Sequence, residues 1–362
     1  MSVILVVSGL VLLVGGAEAL VRGAANFARH LGMSELLVGL TIVAFGTSFP
    51  ELSVSAVSAL RGSADIAYGN VIGSNILNTL LILGIAAVIQ PLRVNLGLIR
   101  ADVPVMIGAS TLAWFLSRDL VVGRLDGLIL LGLLALFTAI VVVRARREPA
   151  APAAGPEPAA MGIAGGFPAT VPLQLICIVG GLGLLVVGSD LFVRGAIRIA
   201  RSLGVSELVT GLTIVAAGTS LPELSTSIVA AIRGERDIAV ANVVGSNIFN
   251  ILGVLGVAAL VAPGGVGAAR EALEFDAIFM IVVAVACLPV FFTGGRISRA
   301  EGAVFIGLYV AYTIVLIAGA AIGPESRRLL LASLSVPILV LTVMVVVRIL
   351  TVHRRRHGSR DR

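Results

Sequence analysis

The sequence predicts an all-α polytopic membrane protein made of two inverted five-helix repeats, ten core spans, plus one extra C-terminal span. Three observations predict it. Of 362 residues, 58% are hydrophobic and only 13% charged, at a mean hydropathy of +1.09, which leaves too little polar surface for a water-soluble domain. Apolar runs long enough to cross a bilayer recur along the chain. Residues 32–84 also align with 204–256, at a constant offset of 172, without a gap and with 35 of 53 positions identical.

The apolar runs fall at about 3–22, 35–60, 66–90, 100–117, 125–143, 171–193, 207–232, 238–262, 274–292, 300–322 and 329–351. Backbone groups in lipid must bond within their own segment, so all eleven are expected to be helices. The first run has no positive flank and continues past Glu18, so it reads as a span and not as a signal peptide. REPAAAPAAGPEPAAMGIAGGFP, between the fifth and sixth runs, reads as a flexible linker. The expected organisation is a first repeat at 1–144, a cytoplasmic linker at 145–170, a second repeat at 171–322, and an accessory span with a basic tail at 323–362. Five spans per unit is an odd number, so the second copy enters the membrane upside down. Inverted repeats of this kind are typical of secondary transporters, with the substrate site at mid-membrane between the halves.

The net charge is +6, and all 26 basic residues are Arg, gathered at the ends of apolar runs. That is a membrane-topology signal and not a nucleic-acid footprint. With loops numbered alternately, nine Arg lie on the N-terminal side and 17 on the other. The excess places the N-terminus outside and the C-terminus in the cytoplasm of a multi-pass protein of the cell's inner (plasma) membrane. Cys177 and Cys287 both sit in apolar runs and imply neither a disulfide framework nor a metal cluster. No Ser–His, Ser–Lys, paired-Asp or His–metal arrangement is present, so no enzyme is expected.

Polar residues inside the repeated block carry the chemistry. GTSFPELSVS (46–55) matches GTSLPELSTS (218–227). Proline disfavours helix before it, and Gly46 and Gly218 are expected to tolerate unusual dihedrals, so each helix should break in mid-membrane. Freed carbonyls there can bind cations, with Thr47, Ser48 and Glu51, or Thr219, Ser220 and Glu223, adding side-chain oxygens. A proline kink with small packing residues is the plainer reading, but it does not account for two buried carboxylates. GSNILN (73–78) matches GSNIFN (245–250), and each Asn follows its Glu by 27 residues. Ser74 and Asn78 share a helix face, as do Ser246 and Asn250, and all four are expected to touch the ion. Gly73 and Gly245 should admit a neighbouring helix closely. Asn75 and Asn247 read as interhelical hydrogen-bonders. Outside the block, Glu18 and Asp190 should pair with Arg22 and Arg194, Asp65 and Asp237 should cap helices, and Asp102 should correspond to Glu274.

These doubled motifs resemble the two α-repeats of the sodium/calcium exchangers, within the cation/Ca²⁺ exchanger superfamily. The likeness covers 106 residues directly and, by span layout, roughly 1–322. It implies ten core helices, four central sites lined by the second, third, seventh and eighth spans, and first and sixth spans that slide across that core. Glu51 and Glu223 would be the shared Ca²⁺ and Na⁺ carboxylates. Thr47, Ser48, Thr219 and Ser220 would add oxygens, and Ala44 and Ala216 backbone carbonyls. Ser74 and Ser246 would line outer Na⁺ positions, and Asn78 and Asn250 the middle one. Potassium-dependent relatives carry Asp where this chain has Asn250, so the resemblance implies a bacterial-type, K⁺-independent exchanger without regulatory domains. Its partners would be Ca²⁺, Na⁺ and the lipid bilayer, with no cofactor and no nucleic acid; the oligomeric state stays open. The rival reading is a Ca²⁺/H⁺ antiporter, with the same Glu protonated in place of Na⁺ binding. A channel would need a continuous pore, which paired broken helices argue against.

Overall fold

Long apolar runs make long helices, and the computed structural model, which describes residues 2–147, 170–203, 216–292 and 295–322, is helical almost throughout. In chain order the helices are α1 (Ser2–His30), α2 (Glu35–Thr47), α3 (Phe49–Leu60), α4 (Ile66–Ile89), α5 (Leu98–Leu116), α6 (Arg124–Arg144), α7 (Val171–Ser202), α8 (Leu221–Arg233), α9 (Arg236–Val261), α10 (Ala272–Phe292) and α11 (Arg299–Ile317). Eight are long and apolar enough to cross a membrane alone, and α2 with α3 makes a ninth crossing bent by 42°. A single turn, Ala216–Gly218, precedes α8. The linker, the start of the expected seventh span and the expected eleventh span lie outside the described residues. α1 runs past its expected end at residue 22, because Gly23, Ala24, Ala25 and Ala28 pack inward.

The centre is made by α4 and α9, whose apolar windows are 72% and 89% buried, against 28% for α1 and α7. Both central helices widen into π-type turns, at Asn78–Ile82 and Asn250–Leu255. Such a turn inserts one residue and re-aims the side chains around it. Here each begins on an Asn expected to touch the ion.

α1 and α7 pack antiparallel along glycines seven residues apart. A Cβ on Gly9 would lie 2.7 Å from the Gly188 carbonyl oxygen, and one on Gly16 would lie 2.8 Å from that of Gly181. Backbones approach this closely only where side chains are missing, as in small-residue membrane interfaces. Gly15, one position from Gly16, has open space beside it.

Short antiparallel ribbons join the halves at their ends: β1 (Leu92–Arg93) with β4 (Arg296–Ile297), and β2 (Val121–Val122) with β3 (Val266–Gly267). They also correct one correspondence. The π-type turn of α5 ends at Asp102, and that of α10 ends at Asp276 and not at Glu274. The turn after α9 is two residues longer than the turn after α4, so the offset grows from 172 to 174 beyond it. Asp102 is buried and accepts from Arg144 Nη1 at 3.0 Å; Asp276 is buried and accepts from the Tyr312 hydroxyl at 3.1 Å. Glu274 pairs with Arg270, four residues before it.

Charged groups pair within and between helices. Glu18 binds Arg22 as expected, and also Arg233 of α8. Asp190 pairs with Arg194 at 2.9 Å. Arg29 reaches Glu35 Oε1 at 2.9 Å and Glu235 Oε1 at 2.5 Å. Burial, together with the facing Glu35 carboxylate, pushes Glu235 up to about 7 despite Arg29. Asp237 does not cap α9; Glu235 holds the residue before that helix, without a side-chain capping bond. The Asp65 side chain lies outside the described residues.

Candidate cation site

The break in the second span is a single residue. Ser48, at φ −81° and ψ 7°, leaves the helix between α2 and α3, and Ser220 does the same before α8 at −87° and 9°. Pro50 and Pro222 fall in the first turn of the helix that follows, where the missing N–H costs nothing. Each proline therefore starts a helix rather than removing a bond from one. Gly46 and Gly218 keep negative φ, contrary to expectation. Their role is space: a Cβ on Gly46 would strike Leu182 at 2.6 Å, and one on Gly218 would strike Val193, both on α7. Gly245 admits Ala44 and Leu40 as expected, whereas no described atom approaches Gly73.

Glu51 and Glu223 occupy the first turns of α3 and α8, where the free N–H groups and the helix dipole favour a negative charge. Both are 0% exposed. Each is held by the serine of the opposite half. Ser220 Oγ donates to Glu51 Oε1 at 2.8 Å, and Ser48 Oγ donates to Glu223 Oε1 at 2.9 Å. Ser220 Oγ also lies 3.2 Å from Ser74 Oγ, whose hydroxyl can donate to it. Thr47 lies 3.5 Å from Ser246 Oγ, and both hydroxyls reach the Ala44 carbonyl, at 3.4 and 3.5 Å. These contacts bring Glu51, Ser74, Ser220, Glu223, Ser48, Thr47, Ser246 and Ala44 into one buried region. Of Ala216 the backbone alone is described, at the start of its turn.

Asn70 and Asn242 are polar positions beside the two carboxylates that the sequence reading passed over. Asn242 Nδ2 donates to Ser227 Oγ at 3.1 Å and to the Glu223 carbonyl at 3.5 Å, while its Oδ1 accepts from Thr47 at 3.1 Å. Asn70 repeats the pattern with Ser55 at 2.9 Å, the Glu51 carbonyl at 3.4 Å and Thr219 at 3.4 Å. Each amide takes a threonine proton from the opposite half, which turns the lone pairs of that hydroxyl away from the amide. The signal was present: an identical Asn, in register, inside an apolar span of each repeat.

Asn75 and Asn247 are interhelical hydrogen-bonders, as expected. Asn75 Nδ2 donates to the Asn247 carbonyl at 3.2 Å, and Asn247 Nδ2 to Thr79 Oγ1 at 2.7 Å. Asn250 Nδ2 donates to Asn75 Oδ1 at 3.2 Å. Around the two carboxylates, the buried acceptors without a partner include Glu51 Oε2, Glu223 Oε2, Asn78 Oδ1, Asn247 Oδ1 and Asn250 Oδ1. Unpaired buried oxygens are costly unless something electropositive meets them. Hard cations seek such a set: neutral oxygens around two carboxylates, with no sulfur or imidazole. Among the described residues no cluster of three or more His, Cys, Asp or Glu exists, so amides and hydroxyls would complete the shell.

Broken helices meeting at buried carboxylates, inside a helical membrane bundle, define a class of multi-pass membrane antiporters. The family model for the sodium/calcium exchanger protein matches residues 1–143 and 173–318, and the chain belongs to that family. CaxA of Alkalimonas amylolytica is 39% identical over 320 residues, spanning 87% of this chain and 98% of its own. YrbG, an inner membrane protein of Escherichia coli, is 36% identical over 286 residues, covering 78% and 87%. A solved structure of the sodium–calcium exchanger NCX_Mj superimposes with a TM-score of 0.73 at 31% identity, over 88% of this chain and 98% of that one.

Proposed function

We propose that the protein exchanges Ca²⁺ for Na⁺ by alternating access, without K⁺. The observation that carries the proposal is the set of unpartnered buried oxygens on Glu51, Glu223, Asn78 and Asn250. Ionised Glu51 and Glu223 carry two negative charges, which one Ca²⁺ balances. Two or three Na⁺ would compete for the same oxygens, so the two loads exclude one another, and exclusion is what couples their movements. Thr47, Ser48, Ser74, Thr219, Ser220 and Ser246, with the carbonyls of Ala44 and Ala216, complete the shells in this reading. Asn at 250 keeps the acidic count at two, which is the ground for K⁺ independence.

The same reading takes residues 1–144 and 171–322 as inverted five-helix halves, joined by a cytoplasmic linker and followed by an accessory span. The cross-bonded serines support it, since each half completes the other's carboxylate. The Arg distribution supports an external N-terminus and a cytoplasmic C-terminus in the inner membrane.

Proteoliposomes loaded with Na⁺ and diluted into Na⁺-free buffer test the proposal. Uptake of labelled Ca²⁺ should follow the Na⁺ gradient, ignore K⁺, and vanish in Glu51→Gln. Uptake driven by a pH gradient without Na⁺ would select the proton-coupled alternative, and full flux in Glu51→Gln would remove the site assignment.

A further inference from the structure

The repeat that builds the cage also places a charged triad on each side of it, and only one of the two is assembled. Glu18 and Arg22 of α1, with Arg233 ending α8, correspond at an offset of 172 to Asp190 and Arg194 of α7, with Arg61 after α3. The two outer arginines are set alike, each followed by a glycine at positive φ that turns the chain, +81° at Gly62 and +80° at Gly234. Arg233 grips Glu18 with two prongs, Nε to Oε2 at 2.9 Å and Nη2 to Oε1 at 2.5 Å, joining α8 to α1. Asp190 turns back to Arg194 on its own helix, and Arg61 is exposed with no ion pair to any described residue.

Burial follows the same split. α1 lies along α8, and Thr226 and Val229 of α8 are 0% and 8% exposed. Their counterparts on α3, Val54 and Val57, are 40% and 44% exposed, because α7 barely meets α3. Deeper in, Thr47 and Asn242 are fully buried, whereas Thr219 and Asn70 are half-buried. Polar groups half-buried beside an uncovered helix mark a route for water. The cage is thus more fully covered toward the 234–235 turn than toward the 61–63 turn.

We propose that the two triads are alternating latches. Glu18–Arg233 holds one side shut in the state seen here, and an Asp190–Arg61 pair replaces it when the opposite side closes. This rests on the alternating-access reading above. Partly exposed ion pairs suit the task, since their net strength is small enough for either latch to open thermally. Each acid also keeps a standby partner four residues along its helix, Arg22 or Arg194, so neither carboxylate is stranded when its latch releases.

The test is Val57→Cys in the full-length protein carrying Cys177→Ala and Cys287→Ala, labelled in detergent with a hydrophilic maleimide. Its labelling rate reads the open side. Glu18→Gln should slow labelling about two- to fivefold. Adding Arg61→Gln, which removes the opposite latch, should restore the rate. Adding instead Arg61→Asp with Asp190→Arg, which rebuilds that latch with reversed polarity, should leave labelling slow. A rate indifferent to Glu18→Gln, or one slowed further by Arg61→Gln, overturns the proposal. Labelling needs no transport, so absence of Na⁺-driven Ca²⁺ uptake would remove the antiport reading while this result stood on its own.

Discussion

The two halves of the molecule share 35 of 53 residues in their central block, yet they do not sit alike. Near the cage they match closely: the Ser–Glu bonds are 2.8 and 2.9 Å, and the Asn70 and Asn242 amides make the same three contacts. Away from it they part. Asn242 is sealed and Asn70 is half-buried; Arg233 is bound to Glu18, whereas Arg61 is exposed. Even inside the cage Asn250 donates to Asn75, while neither side-chain atom of Asn78 has a partner. At the shared positions, equal residues in unequal environments are what two conformations of one repeat would give, while positions that differ, such as Thr79 against Ile251, add an asymmetry of their own. A protein whose halves can exchange environments has two states of similar energy by construction.

The largest expected effect tests the symmetric centre. Glu51→Gln and Glu223→Gln should each weaken Ca²⁺ binding by about 100-fold, roughly 2.7 kcal/mol. Titration calorimetry would break the comparison if one variant bound normally. The glycine seam should be equally even-handed. Gly16→Ala and Gly188→Ala should each cost about 1–3 kcal/mol through overpacking, with Gly15→Ala close to neutral. Thermal unfolding in detergent reads all three.

The amides should instead show the asymmetry. Asn242→Leu strands a buried serine, a threonine and a carbonyl, and should cost about 1–3 kcal/mol. Asn70→Leu should cost less, because Asn70 and its partner Thr219 are half-buried and water can replace part of what is lost. Equal losses would mean that the two environments average out on the timescale of unfolding.

A pH effect concerns Glu235. Its carboxyl titrates near 7 in the folded protein and near 4.5 when unfolded. The native state then holds the extra proton, so this stabilisation is present below about 4.5 and is lost as pH rises through 7. Glu235→Gln should flatten the melting temperature between pH 5 and 8. An unchanged slope would assign the pH dependence to other groups.

Much of this was legible in the sequence. Apolar length marked the spans, and GTS-x-PE marked the bend, because proline acts locally, whereas the need for glycine beside it comes from α7. The repeat in register paired Glu51 with Glu223 before any contact was known. Other features were hidden for physical reasons. Two-residue ribbons such as Leu92–Arg93 carry no periodicity. The Arg233–Glu18 bond joins residues 215 positions apart. Asp276 was masked by a two-residue insertion that made Glu274 look like the counterpart of Asp102. Gly9, Gly16 and Gly23 recur at 181, 188 and 195, but a seven-residue glycine spacing speaks only when two such helices are set side by side.

The central claim is that both halves surround one cage in which Ca²⁺ and Na⁺ exclude each other. Equilibrium binding of labelled Ca²⁺ to the purified protein at increasing Na⁺ tests it most directly. The account predicts one Ca²⁺ per chain, fully displaced by Na⁺ with a steepness above first order. Ca²⁺ that stays bound at saturating Na⁺, or that binds undiminished when Glu51 and Glu223 are both replaced by Gln, would contradict it.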